Sequence, residues 1–364
     1  MMDNISYSQM RIMETAQCFA KLRDIFDDSI GIDNVMGAEL SEMAGILEET
    51  AGFKIRAYTI GRDMDKVIKK ALASIGVRAD SFMFFRKKNG NCEVSLTART
   101  IRHGSVRTAL MADTLSEVLG KKLVPFKDGR MVVTENENEF ILEQAPEYNT
   151  LLGTVSISKE KNTVNGDSYT YISACGGKTV MALADGMGTG REAFNVSKAA
   201  VELFEQLVQA GFSEKSAFRM INSAFAAKYD EKPVTLDCAS VELVNGKLTL
   251  VKNGGAATYV KRGERVDIYR LPSLPAGVLD DAGPQSITIP LDDAQYVILA
   301  SDGVADAIPY IDKEKKLAQI IGAIKVGNPQ VMAEIIADEV TFYLGDKYRD
   351  DMTILVMGVW KVLT

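Results

Sequence analysis

His103 is the single histidine in 364 residues. That scarcity removes a histidine-rich metal site and leaves little room for a Ser-His-Asp or Cys-His triad, each of which needs an imidazole beside its nucleophile. Cysteine is nearly as scarce. Cys18, Cys92, Cys175 and Cys238 show no Cys-x-x-Cys pair and no zinc-like spacing, so they read as reduced, mostly buried thiols of a cytosolic protein. No apolar run approaches the roughly 18–20 residues that a membrane span requires. The N-terminus also lacks the basic-then-apolar order of a secretory signal. Basic charge is not in surplus either: 42 Lys and Arg against 49 Asp and Glu leave a net charge of −7, which argues against non-specific binding to nucleic acid. Internal repeats and low-complexity stretches are missing. What the chain does hold in quantity is carboxylate, and chemistry here has to run on it.

Length and a 46% hydrophobic content suit two globular domains with ample core. Met10, Met13, Phe19, Leu22, Phe26 and Ile30 recur at helical spacing over residues 7–30, and Leu40, Met43 and Leu47 repeat the pattern. Residues 1–52 are therefore expected to be a helical segment that packs on the rest, regulates it or dimerises. Residues 53–148 read as a small α+β module. "FKIRAYTI" has strand character, "MDKVIKKALASIG" and "VRTALMADTLSEVLG" are helices ending at Gly76 and Gly120, and Asn89-Gly90 marks a hairpin turn. "MVVT" and "EFILEQA" add two short strands. The boundary is expected near "PEYNT". Residues 149–364 then alternate many strands with two helix pairs, between Arg191 and Ala227 and near 314–325 and 329–344. The pattern predicts an α+β antiparallel sandwich with helices outside.

Within that half, "LADGMGTGREA" joins an apolar strand to a helix. Gly188-x-Gly190-x-x-Ala193 fits the dinucleotide pattern, which would need a parallel βαβ unit and an acidic residue about 20 positions on. Two successive helices follow instead, so the context fails. The other reading is a metal site. Asp167 in "VNGDSY", Asp185 after "MALA", Asp302 after "YVILA", and Asp350 and Asp351 before "MTILVMGVW" all sit at strand ends. A single Asp-Gly step is an ordinary turn. Several such carboxylates gathered at one end would repel unless a cation joined them, and hard oxygen ligands suit Mg²⁺ or Mn²⁺ rather than zinc.

The ordered set "NGDSY", "LADGMGTG", "LD", "NGGA", "LPAGVL", "LASDGVAD" and "RDDMT" resembles the metal-dependent protein phosphatase family, with its protein phosphatase 2C-like fold, over roughly residues 150–362. "NGDSY" and "ADGMGTG" resemble the bacterial branch typified by stage II sporulation protein E. The resemblance implies a β-sandwich flanked by helix pairs and two Mn²⁺ or Mg²⁺ ions. By position, Asp185 bridges them, the Gly186 carbonyl completes one shell, Asp302 and Asp350 hold the other ion, and Asp167 acts nearby. Asp306 would touch a further, weaker ion, and Asp351 is the less favoured of its pair. A metal-bridging hydroxide would hydrolyse phosphoserine on a regulatory protein, by resemblance an anti-anti-sigma factor of sporulation or stress control. A catalytically weak regulator that keeps the fold and binds a phosphoprotein is the alternative.

The sequence also departs from the family. Met187 stands where many eukaryotic members carry a histidine, and their phosphate-binding arginine has no clear counterpart. The helices after Arg191 resemble a switch that completes the metal site. A homodimer through these or the N-terminal helices fits the pattern. So does either a cytosolic protein or the soluble part of a longer multi-span one. Lys261-Arg262 reads as a solvated turn and His103 as a surface residue.

Overall fold

The computed structural model describes residues 15–21, 40–41, 43–47, 56–58, 61–86, 92–126, 129–159, 164–174, 177–188, 190–226, 233–279, 283–293, 295–344 and 350–362. Of the expected N-terminal helices, 15–21 and the described part of 40–47 are helical; the remainder of 7–30 and the Asn89-Gly90 turn lie outside the described residues. Chain contacts define two compact units that part between Pro146 and Glu147, with the described helical residues 40–46 grouped with the second.

The first unit is one antiparallel sheet of order β1-β2-β3-β7-β5, made of β1 (Arg56–Tyr58), β2 (Val77–Arg86), β3 (Cys92–Thr100), β5 (Leu123–Pro125) and β7 (Asn138–Gln144). Two short strands, β4 (Val106–Arg107) and β6 (Val132–Val133), pair beside it. Helices Arg62–Ser74 and Thr108–Leu119 supply Ile68, Leu72, Met111 and Leu115 to a core with Val94, Leu96, Phe140 and Leu142. Gly120 ends the second helix at φ 62°, a left-handed position that glycine adopts without the Cβ penalty. His103 is exposed, with Nδ1 2.7 Å from Glu135.

The second unit is a sandwich of two antiparallel sheets. One has the order β15-β12-β11-β10-β9 and the other β14-β13-β16-β17-β8. The first combines β9 (Asp167–Ala174), β10 (Lys178–Gly186), β11 (Val234–Glu242), β12 (Lys247–Asn253) and β15 (Gln285–Pro290). The second combines β8 (Tyr148–Ile157), β13 (Thr258–Arg262), β14 (Arg265–Tyr269), β16 (Gln295–Ala300) and β17 (Met352–Lys361). Side chains alternate between faces with period two, and both faces are covered, so the central strands read as unbroken apolar runs. Along β10, Met181 and Leu183 enter the core between the sheets, while Val180, Ala182 and Ala184 face helices Arg191–Gln209 and Glu214–Ala226. Along β17, Leu355 and Met357 face inward, while Ile354 and Val356 meet helices Lys313–Ala323 and Pro329–Phe342. The result is four layers, helix–sheet–sheet–helix.

Within "PEYNT", β8 begins at Tyr148, and the N–H groups of Glu147 and Tyr148 both donate to the Leu243 carbonyl. Two features depart from the sequence expectations. β14 and β15 carry too few apolar residues to be legible, because each lies at a sheet edge with one or both faces partly exposed. Lys261-Arg262 is not a solvated turn. Lys261 is buried in β13 and donates to the Gly322 carbonyl at 3.0 Å, while Arg262 pairs with Asp267.

Candidate metal centre

Asp185 is the penultimate residue of β10, and its Cα partner across the ladder is Asp167, the first residue of β9. Antiparallel pairing thus puts the end of one strand beside the start of the next. The other sheet does the same. Ala300 pairs with Ile354, and the hydrogen bonds Ser301 N–H to Thr353 O (3.0 Å) and Thr353 N–H to Ser301 Oγ (2.9 Å) carry the ladder on to Asp302 and Asp350. Residues far apart in sequence therefore meet at one end of the sandwich.

Glycines let the backbones close in. A Cβ on Gly186 would lie 2.3 Å from the Ala193 carbonyl oxygen, so the first turn of the 191–209 helix can rest on the strand end only because no side chain is there. A Cβ on Gly303 would lie 2.1 Å from the Asp351 carbonyl oxygen, which brings the Asp302 turn against the chain entering β17. Both Asp-Gly steps are thus close backbone approaches. Ser197, fully buried, donates to the Gly166 carbonyl at 2.6 Å and shares a hydrogen bond with Ser168 at 2.8 Å. These bonds tie the helix to the loop that carries Asp167.

Crowding shows in the electrostatics. Burial, then the charges of Asp167 and Asp302, push Asp185 up to about 9, and its carboxyl donates a hydrogen bond to Asp302. Asp302 is itself raised, by burial first and then by Asp350 and Asp306. Burial takes Asp167 up to about 6, against the pull of hydrogen bonds from Thr353 and Ser301. Its Oδ2 is buried without a hydrogen-bond partner. Two carboxylates this close share one proton when no cation separates them. Among the described residues, no three His, Cys, Asp or Glu side chains converge as they stand on a common point for an ion. The donor set nevertheless suits a hard divalent cation: all oxygen, graded from buried Asp167 to exposed Asp302, and with an unpartnered acceptor.

The neighbouring pair Asp350 and Asp351 divides cleanly. Asp351 is 5% exposed, and both its oxygens accept backbone N–H groups, from Lys159 and Gly166, each at 2.7 Å. It braces two loops. Among the described residues, Asp350 accepts the adjacent Asp351 N–H alone, at 2.9 Å, and its charge reaches Asp185 and Asp302. Asp306 stays at the margin of the cluster: its charge acts on Asp302, but its exposed carboxylate pairs with Lys313 at 2.7 Å. Met187 is 53% exposed. Ser301 and Thr353, which touch Asp167, carried no signal in the sequence beyond their place at strand ends.

The family profile described as "Stage II sporulation protein E (SpoIIE)" matches residues 176–360, just over half of the chain. Stage II sporulation protein E of Priestia megaterium is 24% identical over 343 residues, covering 94% of this chain and 57% of that protein. The Bacillus subtilis (strain 168) protein of that name is 24% identical over 297 residues, covering 81% of this chain and 36% of its own length. The chain therefore spans less than two thirds of either relative. Among solved structures, the PP2C phosphatase domain with a fragment of the regulatory domain of SpoIIE from Bacillus subtilis superposes with a TM-score of 0.68 at 21% identity, covering 98% of this chain and 99% of that one. The RsbU and RsbW domains of a Mycobacterium tuberculosis protein give 0.52 at 16% identity, over 60% and 63% of the two chains. The sandwich is a PP2C-like fold.

Proposed function

The chain belongs to the stage II sporulation protein E family, and from that premise we propose that it is a metal-dependent protein serine/threonine phosphatase. The observation that carries the reading is the gathering of Asp167, Asp185, Asp302 and Asp350 at one sandwich end, where burial and the charges of Asp167 and Asp302 favour a proton on Asp185. Divalent cations in place of that proton would turn mutual repulsion into shared coordination.

In this reading Asp185 and the Gly186 carbonyl, together with Asp302, Asp350 and, directly or through water, Asp167, would hold two Mn²⁺ or Mg²⁺ ions. Asp350 takes the role in preference to Asp351, whose oxygens are already engaged by backbone N–H groups. Bound there, two such ions would supply Lewis acidity for hydrolysing a phosphate monoester. The chain's own part is to hold four carboxylates rigidly at strand ends and to keep them partly desolvated. Met187 has no proton to give, so the leaving hydroxyl takes its proton from water or from the substrate complex. An enzyme built this way depends on a protein partner for positioning.

The substrate in this proposal is phosphoserine on an anti-anti-sigma-type protein. Residues 53–148 and the N-terminal helices would be regulatory, with dimerisation through those helices or the 191–226 pair. Support for coupling comes from Ile46, whose Cγ2 would lie 3.6 Å from a Cβ on Gly211, in the turn between the two helices that follow the Asp185 loop. No helix among the described residues is long and apolar enough to cross a membrane.

The test is phosphate release from a phosphoserine anti-anti-sigma protein, with and without Mn²⁺, by the wild type and Asp302→Asn. Mn²⁺-dependent turnover that falls about 100-fold or more in the variant is expected, since a metal ligand is lost. Tight phosphoprotein binding without turnover under any metal, unchanged by the substitution, would make the cleft a docking site instead.

A further inference from the structure

Towards the carboxylate end, the inward-facing side chains change character. On β11 the inward series Val241, Ala239 is continued by Asp237, and on β12 the series Leu248, Leu250 is continued by Lys252. Asp237 and Lys252 are direct cross-strand partners, 4% and 1% exposed, with Nζ 2.5 Å from Asp237 Oδ2. Asp237 also lies opposite Leu183, one inward position deeper than Asp185.

Packing alone does not call for this pair. A buried ion pair replaced by well-packed apolar residues is often neutral or more stable, because desolvating two charges offsets their attraction. The pair is also incompletely satisfied: Asp237 Oδ1 is buried and has no hydrogen-bond partner among the described residues. The backbone closes tightly over the carboxyl, since a Cβ on Gly255 would lie 2.1 Å from its atoms. A cavity of about 30 Å³ opens beside it, lined by Asp237, Asp185, Asp302, Thr235, Gly254 and Ser301 among others. That space has room for one water, and its polar walls offer the two to four partners a buried water needs.

We propose that Asp237 is a positioning residue for the metal centre. Lys252 anchors one of its oxygens; the other accepts a hydrogen from a single water in the cavity, whose second hydrogen bonds the Asp185 carboxylate and sets its orientation towards the ions. The inference rests on the phosphatase reading only in taking Asp185 as a metal ligand. It gives the ion pair a task that its cost in stability leaves unexplained, and it extends the site inward to a second sheet position.

Mn²⁺ affinity of the full chain, measured calorimetrically without substrate, tests it alongside thermal unfolding. The double variant Asp237→Leu/Lys252→Met removes both charges together and leaves the inner core packed. Ala256→Val narrows the same cavity with the ion pair intact. Both are expected to stay folded and to bind Mn²⁺ about 10- to 100-fold more weakly, the usual consequence of losing an outer-shell partner. Wild-type affinity in either folded variant would reduce the pair to a structural plug. If the double variant does not fold, Ala256→Val decides alone. A wild type that binds no Mn²⁺ would remove the phosphatase reading and this inference together, whereas tight wild-type binding matched by the variants would remove only the inference.

Discussion

The helix pair at 191–226 and the pair at 313–342 each cover one sheet, but they meet the carboxylates differently. The first starts at the site: its opening turn rests on Gly186, and Ser197 bonds the loop that carries Asp167. It is held further along by polar links, Thr170 to Glu205 at 3.0 Å and Lys178 to Glu214 at 3.2 Å. The second is anchored mainly by an aliphatic core that includes Leu317, Ile321, Met332 and Ile336, and the sheet it covers brings Asp302 and Asp350 to the site without either helix of the pair starting there. Its closest polar tie to the sheet is Gln330, which bonds both backbone groups of Thr154. One layer is thus built into the coordination loop, whereas the other is a cover.

The largest expected consequence is electrostatic. Asp185 and Asp167, raised to about 9 and about 6 from an ordinary 3.8, bind protons in the folded chain that the unfolded chain releases. The metal-free protein is therefore most stable below about pH 4 as far as these groups are concerned. It loses that contribution as pH rises through 6 and then 9. Hydrogen exchange followed across this range should show the 191–209 helix opening with pH before the 329–342 helix, and Mn²⁺ should flatten the dependence. Equal response in both helices would break the contrast.

Core truncation comes next. Phe204, fully buried with its ring edge-on to Phe218 at 5.4 Å, and Ile336, 1% exposed, occupy matching places in the two layers. Replacing either with alanine should cost about 2–5 kcal/mol in urea unfolding. Only Phe204→Ala should also raise the Mn²⁺ concentration needed for half-maximal turnover. A similar rise in Ile336→Ala would show that both layers feel the site.

The smallest effect sharpens the comparison most. Ser197→Ala leaves the buried Gly166 carbonyl without its hydrogen bond, for a loss of about 1–3 kcal/mol. Because that bond joins helix to coordination loop, the variant should need more Mn²⁺ while unfolding only slightly earlier. A plain stability loss with unchanged metal dependence would make Ser197 ordinary packing.

Much of this was legible in the residues. Asn245-Gly246 does turn β11 into β12, with Gly246 at φ 66°, because few other residues tolerate that conformation. The strands of the sandwich core announced themselves by length and apolar content, and the helix pairs by their spacing. β14 and β15 did not, since edge strands with exposed faces carry little hydrophobic pattern. The candidate ligands stood out as aspartates at strand ends, but so did Asp351, and only the family resemblance ranked it below Asp350 and gave Asp306 a separate, weaker ion. Asp237 stood in the "LD" step of the family motifs, but its pairing with Lys252 was not legible, because a charged residue inside an apolar strand looks like a break in the pattern until its partner on the next strand is known.

By itself, then, the sequence determined the inventory: strands that alternate faces, glycines where backbones must touch, one histidine, and carboxylates at strand ends. These are local properties, written in periodicity and in the conformational limits of single residues. Which aspartates share a proton, which is held by backbone N–H groups, and which is paired with Lys313 were decided only in three dimensions. Antiparallel pairing brings residues some 180 positions apart to one end of the sandwich, and electrostatic energy depends on distance through space rather than along the chain.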